Sequence, residues 1–271
     1  MNEAFHYLAP TSFEEALQLL AKHGEHGKLM AGGTDLLVNI RADLERPTHV
    51  IDIKKIPAIN DLTYDEKEGL SIGAAVTINA IIDDSAVNQH YPLLVACAEQ
   101  LASHQVRNRA TVVGNVVNAS PCADMAPPLM CLDAKIEIRA SDGTRSVPCH
   151  EFFTGPKQTI LKPGEMVSRI TVPATMRGAR GGYRKLKRIQ GHDLGIVGVA
   201  LMRKDDLIRI AVSSAAPTPI LVRDFQASEP VERMVEDMLK ALSPIDDVRC
   251  TKDYRIFMAG VYLKRLAQEV A

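Results

Sequence analysis

The chain has no tryptophan, and aromatic residues make up only 4% of its 271 positions. Aliphatic side chains must therefore fill any core, and an apolar share of 46% supplies them. Neither sign of charge is in excess: 32 Lys and Arg stand against 33 Asp and Glu, interspersed along the chain. This argues against a nucleic-acid binder, which would show a basic face. No apolar run approaches the roughly 20 residues needed to cross a bilayer. Residues 1–10 lack the apolar h-region of a signal peptide. A soluble, cytoplasmic protein without a membrane span is expected. The cysteines Cys97, Cys122, Cys131, Cys149 and Cys250 form no CxxC pair and are odd in number. That disfavours a disulfide framework, and equally a zinc or iron–sulfur site made by this chain alone. Buried, reduced thiols are expected, with Cys122 singled out because it lies in a glycine-bearing segment. His150-Glu151 opens like a zinc-protease motif, but Thr154 stands where the second His belongs. The GxGxxG of a nicotinamide Rossmann domain and the GxxxxGK[ST] of a P-loop are both missing.

What is present is a pair of glycine-bearing segments about 80 residues apart. The first comprises Lys28, Leu29, Met30, Ala31, Gly32, Gly33, Thr34 and Asp35. The second runs from Ala110 through Thr111, Val112, Val113, Gly114 and Asn115 to Asn118, Ser120, Cys122 and Asp124. Each ends an apolar run with small residues and hydroxyl or amide side chains. That suits backbone amides meeting a phosphate, and two such loops could hold a dinucleotide from both sides. Alone, Gly-Gly-Thr-Asp reads equally well as an ordinary tight turn.

Periodicity places these segments. Ser12 and Glu15 form a capping-box pattern before Phe13, Ala16, Leu17, Leu20 and Ala21, and Gly24 and Gly27 end that helix. A strand at 28–30, a helix at 35–42 and a strand at 50–53 make a βαβ-like unit with Gly32 and Gly33 at its strand-to-helix turn. A strand is expected at 70–76, a helix capped by Thr77 through Ile82, and a helix over 92–103. The stretch 104–118 reads as an extended, ligand-facing segment. A helix over 125–132, with Pro127 and Pro128 in its first turn, precedes a hairpin of 135–139 with 145–148 around Ser141-Asp142-Gly143. A strand over 167–172 follows. The Gly- and Arg-rich stretch 176–182 reads as a boundary loop. Strands at 183–188, 196–203 and 207–213 come next, with Asp205-Asp206 as a turn, and then helices over 230–242 and 253–268.

The two segments, in this order, resemble the FAD-binding medium subunits of molybdenum hydroxylases, the xanthine and carbon monoxide dehydrogenase type. That family's AGGT-D-L-L stands here as residues 31–37, and its T-[IV]-G-G-N-[IL]-x-N-[AG]-x-P-x-[AS]-D as residues 111–124. Thr154-Gly155-Pro156 and the stretch 185–197 extend the resemblance along the whole chain. One departure is Val113, where the family has the first of two glycines. An insertion rich in cysteine, carried by hydroxybenzoyl-CoA reductases, is also missing.

The resemblance implies an α+β chain. A p-cresol methylhydroxylase/vanillyl-alcohol-oxidase-type FAD-binding domain would span 1–176, in two α/β subdomains of about 1–54 and 55–176. A C-terminal α/β domain with a small antiparallel sheet and helices would span 180–271. Residues 28–35 would wrap the FAD diphosphate, and Thr111, Gly114 and Asn115, with the Val112 and Val113 backbone, would meet it from the other side. Asp124 would accept from a ribityl or ribose hydroxyl. Leu101 and Leu161 would pack on the cofactor, and Lys185 would lie near the flavin ring. Each has a plainer alternative: helix capping for Asp35 and Asp124, core packing for the leucines, a solvated strand position for Lys185. His104, Arg107 and Arg109 form a basic cluster, read either as a solvated loop or as partner-facing.

By resemblance the chain is the FAD-carrying electron-transfer subunit of an oxidoreductase, with no catalytic nucleophile and no metal ligands of its own. Molybdenum cofactor would sit in a large partner subunit and two [2Fe–2S] clusters in a small one, as a dimer of heterotrimers, with NAD⁺ or another acceptor receiving the electrons. Two rivals remain. A self-sufficient flavin oxidase would need a substrate pocket from the roughly 90 C-terminal residues, which have few aromatics and no histidine after His192. A scaffold with a degenerate flavin site is favoured only by Val113.

Overall fold

The computed structural model describes residues 5–189, 191 and 193–270. Residues 1–4, part of the signal-peptide reading, and His192 lie outside the described residues. The N-terminal part contains β1 (His6–Leu8), α1 (Phe13–His23), β2 (Gly27–Met30), α2 (Leu36–Arg41) and β3 (His49–Asp52). Its three strands form a parallel sheet in the order β1-β3-β2, with Met30 opposite Asp52. In α1, Ser12 Oγ accepts from the Glu15 amide at 3.1 Å. The Glu15 carboxylate reaches back to the Thr11 amide at 2.7 Å, one residue earlier than a capping box requires. Ala16, Leu17 and Leu20 bury the inner face. The β2–α2–β3 crossover places Gly32 and Gly33 at the carboxyl edge of a parallel sheet, where such folds bind ligands.

A second set begins with β4 (Leu62–Asp65), β5 (Gly69–Gly73), α3 (Ile78–Asp83), α4 (Ser85–His90), α5 (Pro92–Glu99), α6 (His104–Arg107), α7 (Val112–Val117) and α8 (Ala126–Cys131). It continues with β6 (Lys135–Ala140), β7 (Gly143–Pro148), β8 (Phe153–Gly155), β9 (Gln158–Thr159) and β10 (Met166–Pro173). Five strands form an antiparallel sheet in the order β4-β5-β10-β6-β7, and β8 pairs with β9. The stretch 104–118 departs from expectation: it is not extended but carries α6 and α7. Ser103 Oγ accepts from the Val106 amide at 3.4 Å and Thr111 Oγ1 from the Gly114 amide at 3.0 Å, so each short helix has its own cap. Only the join stays extended, where Thr111 bridges Thr77.

The C-terminal part holds β11 (Arg180–Leu186), β12 (Val197–Lys204), β13 (Leu207–Ser213), β14 (Ile220–Gln226), α9 (Val231–Ala241) and α10 (Lys252–Val270). The strands form an antiparallel sheet in chain order. The stretch 176–182, expected to be loop, already carries β11 from Arg180. Gly181 and Gly182 pair with Met202 and Leu201. A side chain at 181 would press on the Leu201 carbonyl and Leu93, and one at 182 on Leu266. These glycines serve close packing, not a turn. Strand β12 is buried on both faces. Val197, Val199 and Leu201 face α9 and α10, while Ala200 and Met202 join the larger core under α5 and α8. Strands β1, β4, β8, β9 and β14 and helix α4 are additions to the expected elements.

Candidate functional site

A cleft of about 1050 Å³ opens between the β2–α2 turn, the α6–α7 region, the turn 118–124 and the start of the C-terminal sheet. Residues 28–35, Leu101, Thr111, Gly114, Asn115, Asp124 and Lys185 all line it. Three expected residues do not. Val112 and Val113 are buried on the inner side of α7, 0% and 5% exposed, and Leu161 packs against the main core from its edge. Val113 therefore places its extra side chain in the core and leaves the cleft wall unchanged. The cleft also takes in Asn118, Lys157, Asp193 and Leu194. Asn118 belongs to the second sequence motif and Lys157 follows Gly155-Pro156, so both lay beside signals already read.

The first wall is backbone. Gly33 has φ +73°, a left-handed conformation natural to glycine. A Cβ on Gly32 would overlap the carbonyl of Arg109, so the two glycine segments touch through a position that only glycine can occupy. Within the described residues, the amides of Gly32, Gly33 and Thr34 donate to no protein acceptor. Uncommitted amides along a cleft are what an anionic group needs. Asp35 holds the N-cap position of α2 without capping it. Its carboxylate instead accepts from Asn118 Nδ2 at 3.0 Å, and Asn118 Oδ1 accepts from Lys157 Nζ at 2.7 Å. This relay ties the first segment to the second and to the β8–β9 turn. Asn115 Oδ1 accepts from the Met125 amide at 3.0 Å, anchoring the turn that delivers Asp124.

The opposite wall is ionic. Asp124 does not cap α8, whose N-terminus has no side-chain cap. Its carboxylate accepts from Lys185 Nζ at 2.7 Å and from Tyr183 Oη at 3.0 Å. The Lys185 and Asp124 side chains are 3% and 8% exposed. Lys185 is thus a buried cation, not a solvated strand residue. Burial pushes the Asp124 carboxyl above its ordinary value, and the ammonium and phenol recover part of that rise. Burial and the neighbouring carboxylate push the Tyr183 phenol well up. Cys122, also lining the cleft, meets Arg249 Nη1 at 3.6 Å, and the same nitrogen donates to Gly195 O at 3.2 Å. Arg249 and Arg255 share Asp247. Arg255, 1% exposed, donates to the carbonyls of Ile196 and Ser214 at 2.6 and 3.0 Å.

The basic cluster resolves into separate roles. Arg107 donates to the Leu101 carbonyl at 2.9 Å and to Asn79 Oδ1 at 3.2 Å, holding the α5–α6 turn. His104 Nδ1 lies 3.3 Å from Asn79 Nδ2. Arg109 contributes its carbonyl under Gly32. Among the described residues no group of three or more His, Cys, Asp or Glu could hold a metal ion, and no helix is long and apolar enough to cross a membrane.

Two glycine segments joined across one cleft define a class. The chain belongs to the family of FAD-binding domains in molybdopterin dehydrogenases, whose profile matches residues 3–175. Among its relatives, the carbon monoxide dehydrogenase medium chain of Hydrogenophaga pseudoflava is 34% identical over 96% of this chain and 95% of its own length. The xanthine dehydrogenase FAD-binding subunit of Escherichia coli O157:H7 is 30% identical over 97% of this chain and 94% of its own. A solved chain from carbon monoxide dehydrogenase of Hydrogenophaga pseudoflava superposes with TM-score 0.91 and 32% identity. That match covers 99% of this chain and 97% of the other.

Proposed function

We propose that the chain binds FAD in this cleft and works as the electron-transfer flavoprotein subunit of a molybdenum-dependent oxidoreductase. The observation that carries the reading is the contact of Gly32 with the Arg109 carbonyl beside the uncommitted amides of Gly32, Gly33 and Thr34. It makes one anion-binding wall from two distant segments. The residues present fit the cofactor. The cleft, at about 1050 Å³, reaches the upper end of the roughly 300–1,000 Å³ usual for small-molecule sites. The amide wall suits a diphosphate, and the Asp124–Lys185 wall offers charge and hydrogen bonds to a polar ring edge. FAD would supply reversible one- and two-electron transfer.

This chain's own residues would hold and shield the cofactor. Residues 28–35 with Thr111, Gly114 and Asn115 would grip the diphosphate and the chain beside it. Leu101 would cover an apolar face. Lys185 would be aimed by Asp124, which Tyr183 in turn holds. On the same reading 1–176 is the FAD-binding domain and 180–271 its C-terminal companion. A large molybdenum-cofactor subunit and a small [2Fe–2S] subunit would be its partners in the cytoplasm, as a dimer of heterotrimers. NAD⁺ or another carrier would accept the electrons. The burial of Val113 on the inner side of α7 supports an intact site over a degenerate one. The test is an absorption spectrum of the purified chain with chromatography of acid-released cofactor. About one FAD per chain is expected; a colourless protein that takes up no added FAD sinks the reading.

A further inference from the structure

We propose that Lys54, backed by Asp52 and Tyr7, is a positioning residue that aims the amides of the first glycine segment into the cleft. The inference rests on the FAD reading and names how its phosphate wall is held. Lys54 lies just past β3 and is not part of the cleft lining. Its ammonium donates to the Ala31 carbonyl at 2.9 Å, across 23 residues of sequence. The same nitrogen meets both Asp52 oxygens at 2.7 Å. Asp52 is only 5% exposed and also accepts from Tyr7 Oη at 2.6 Å. A cation with three donors is thus fixed by a buried carboxylate and spends its remaining reach on one backbone carbonyl.

That carbonyl is the one that matters. No described peptide bond is cis, so the Ala31 C=O and the Gly32 N–H point in opposite directions from one planar unit. Holding the carbonyl toward Lys54, behind the cleft, turns the Gly32 amide to the other side, the cleft that Gly32 lines. Gly32, which follows this peptide, has no Cβ to resist its rotation. Glycine freedom here has to be countered from outside. A charged hydrogen bond to the preceding carbonyl does so without adding bulk. Asp52 prepares the pin: burial pushes its carboxyl up, while Lys54 and Tyr7 more than offset this and hold it below the ordinary carboxylate range.

The test uses the full-length apoprotein, with FAD and, separately, ADP as probes by calorimetry, and the thermal midpoint of the apoprotein alongside. Lys54→Met is expected to weaken FAD and ADP alike, by about ten- to a hundredfold, while the visible spectrum of bound flavin keeps its shape. Lys54→Arg should recover most of the affinity. Lys54→Met leaves Asp52 buried without its cation, so Asp52→Asn with Lys54→Met is the second variant. It should recover the midpoint but not the ADP affinity. Wild-type ADP and FAD affinity in Lys54→Met overturns the proposal. So does an affinity that returns with the midpoint in the double variant, since a merely structural role predicts that. A wild-type protein that binds neither probe overturns the FAD reading, and the pin with it.

Discussion

The two walls of the cleft are made of opposite materials. One is backbone without side chains: Gly32 against the Arg109 carbonyl, Gly33 at positive φ, amides left uncommitted. The other is a buried charge pair, Lys185 with Asp124, braced by Tyr183. At Gly32 the first wall has no room for an added Cβ. The second tolerates no missing charge. A neutral wall of dipoles attracts an anion at little cost in stability, because amides carry no net charge to desolvate. A buried ion pair costs desolvation and holds only while both partners remain. One wall thus leaves its donors uncommitted, while the other spends its charges on one another.

Breaking the charged wall should give the largest effect. Lys185→Met leaves Asp124 buried without its cation, with only the Tyr183 hydroxyl as a side-chain donor, and a loss of about 3–5 kcal/mol is expected in chemical denaturation of the apoprotein. Asp124→Asn added to it should recover much of that loss; if it recovers none, the pair is not the source. On the backbone wall, Gly32→Ala should leave the fold in place but force the two segments apart. FAD affinity should fall by about 1–3 kcal/mol, measured by flavin titration, and unchanged affinity would detach Gly32 from the site. Asp247→Asn probes the charged side from below. Arg249, by hydrogen bonding, holds the Asp247 carboxyl below its usual range. A depressed carboxyl contributes stability above its unfolded value of about 4 and loses it as pH falls further. The wild-type advantage, about 1–3 kcal/mol, should therefore be full near neutrality and shrink in thermal melts below about pH 4. A constant gap would count against the ionic role. Smallest is Thr111→Val, which removes the cap of α7 and should cost about 1 kcal/mol. A loss no larger than that from an exposed substitution would show the cap idle.

Local pattern made much of this legible. α1 announces itself by its cap and its spacing, the hairpin of β6 and β7 by Ser141-Asp142-Gly143, and β13 by the Asp205-Asp206 turn before it. The first glycine segment was placed because a turn that needs positive φ leaves its residues in the sequence. What escaped depended on distant partners. β1 spans three residues, two of them exposed, and exists only because β3 pairs with it. β14 carries Arg223 and Asp224 in a half-buried edge and shows no clean period. The polar start and small residues of 104–118 suggest an extended segment, yet Ser103 and Thr111 are helix caps. The Asp124–Lys185 pair spans 61 residues, and neither residue's neighbours mention the other. Asp35 and Asp124 both looked like caps by position, yet each carboxylate turns to a side chain from elsewhere.

The boundary drawn by sequence and the boundary drawn by charge do not coincide. The family match ends at residue 175, but the cation that neutralises Asp124 comes from β11, ten residues later, and Ser214 after β13 donates its amide to Pro121 O at 2.7 Å. A protein cut at the family boundary would keep every glycine of the binding motifs and lose the counter-ion they are built beside. The C-terminal sheet is therefore less a neighbour of the cleft than its missing half, and the smallest unit able to inherit the site intact is the whole chain.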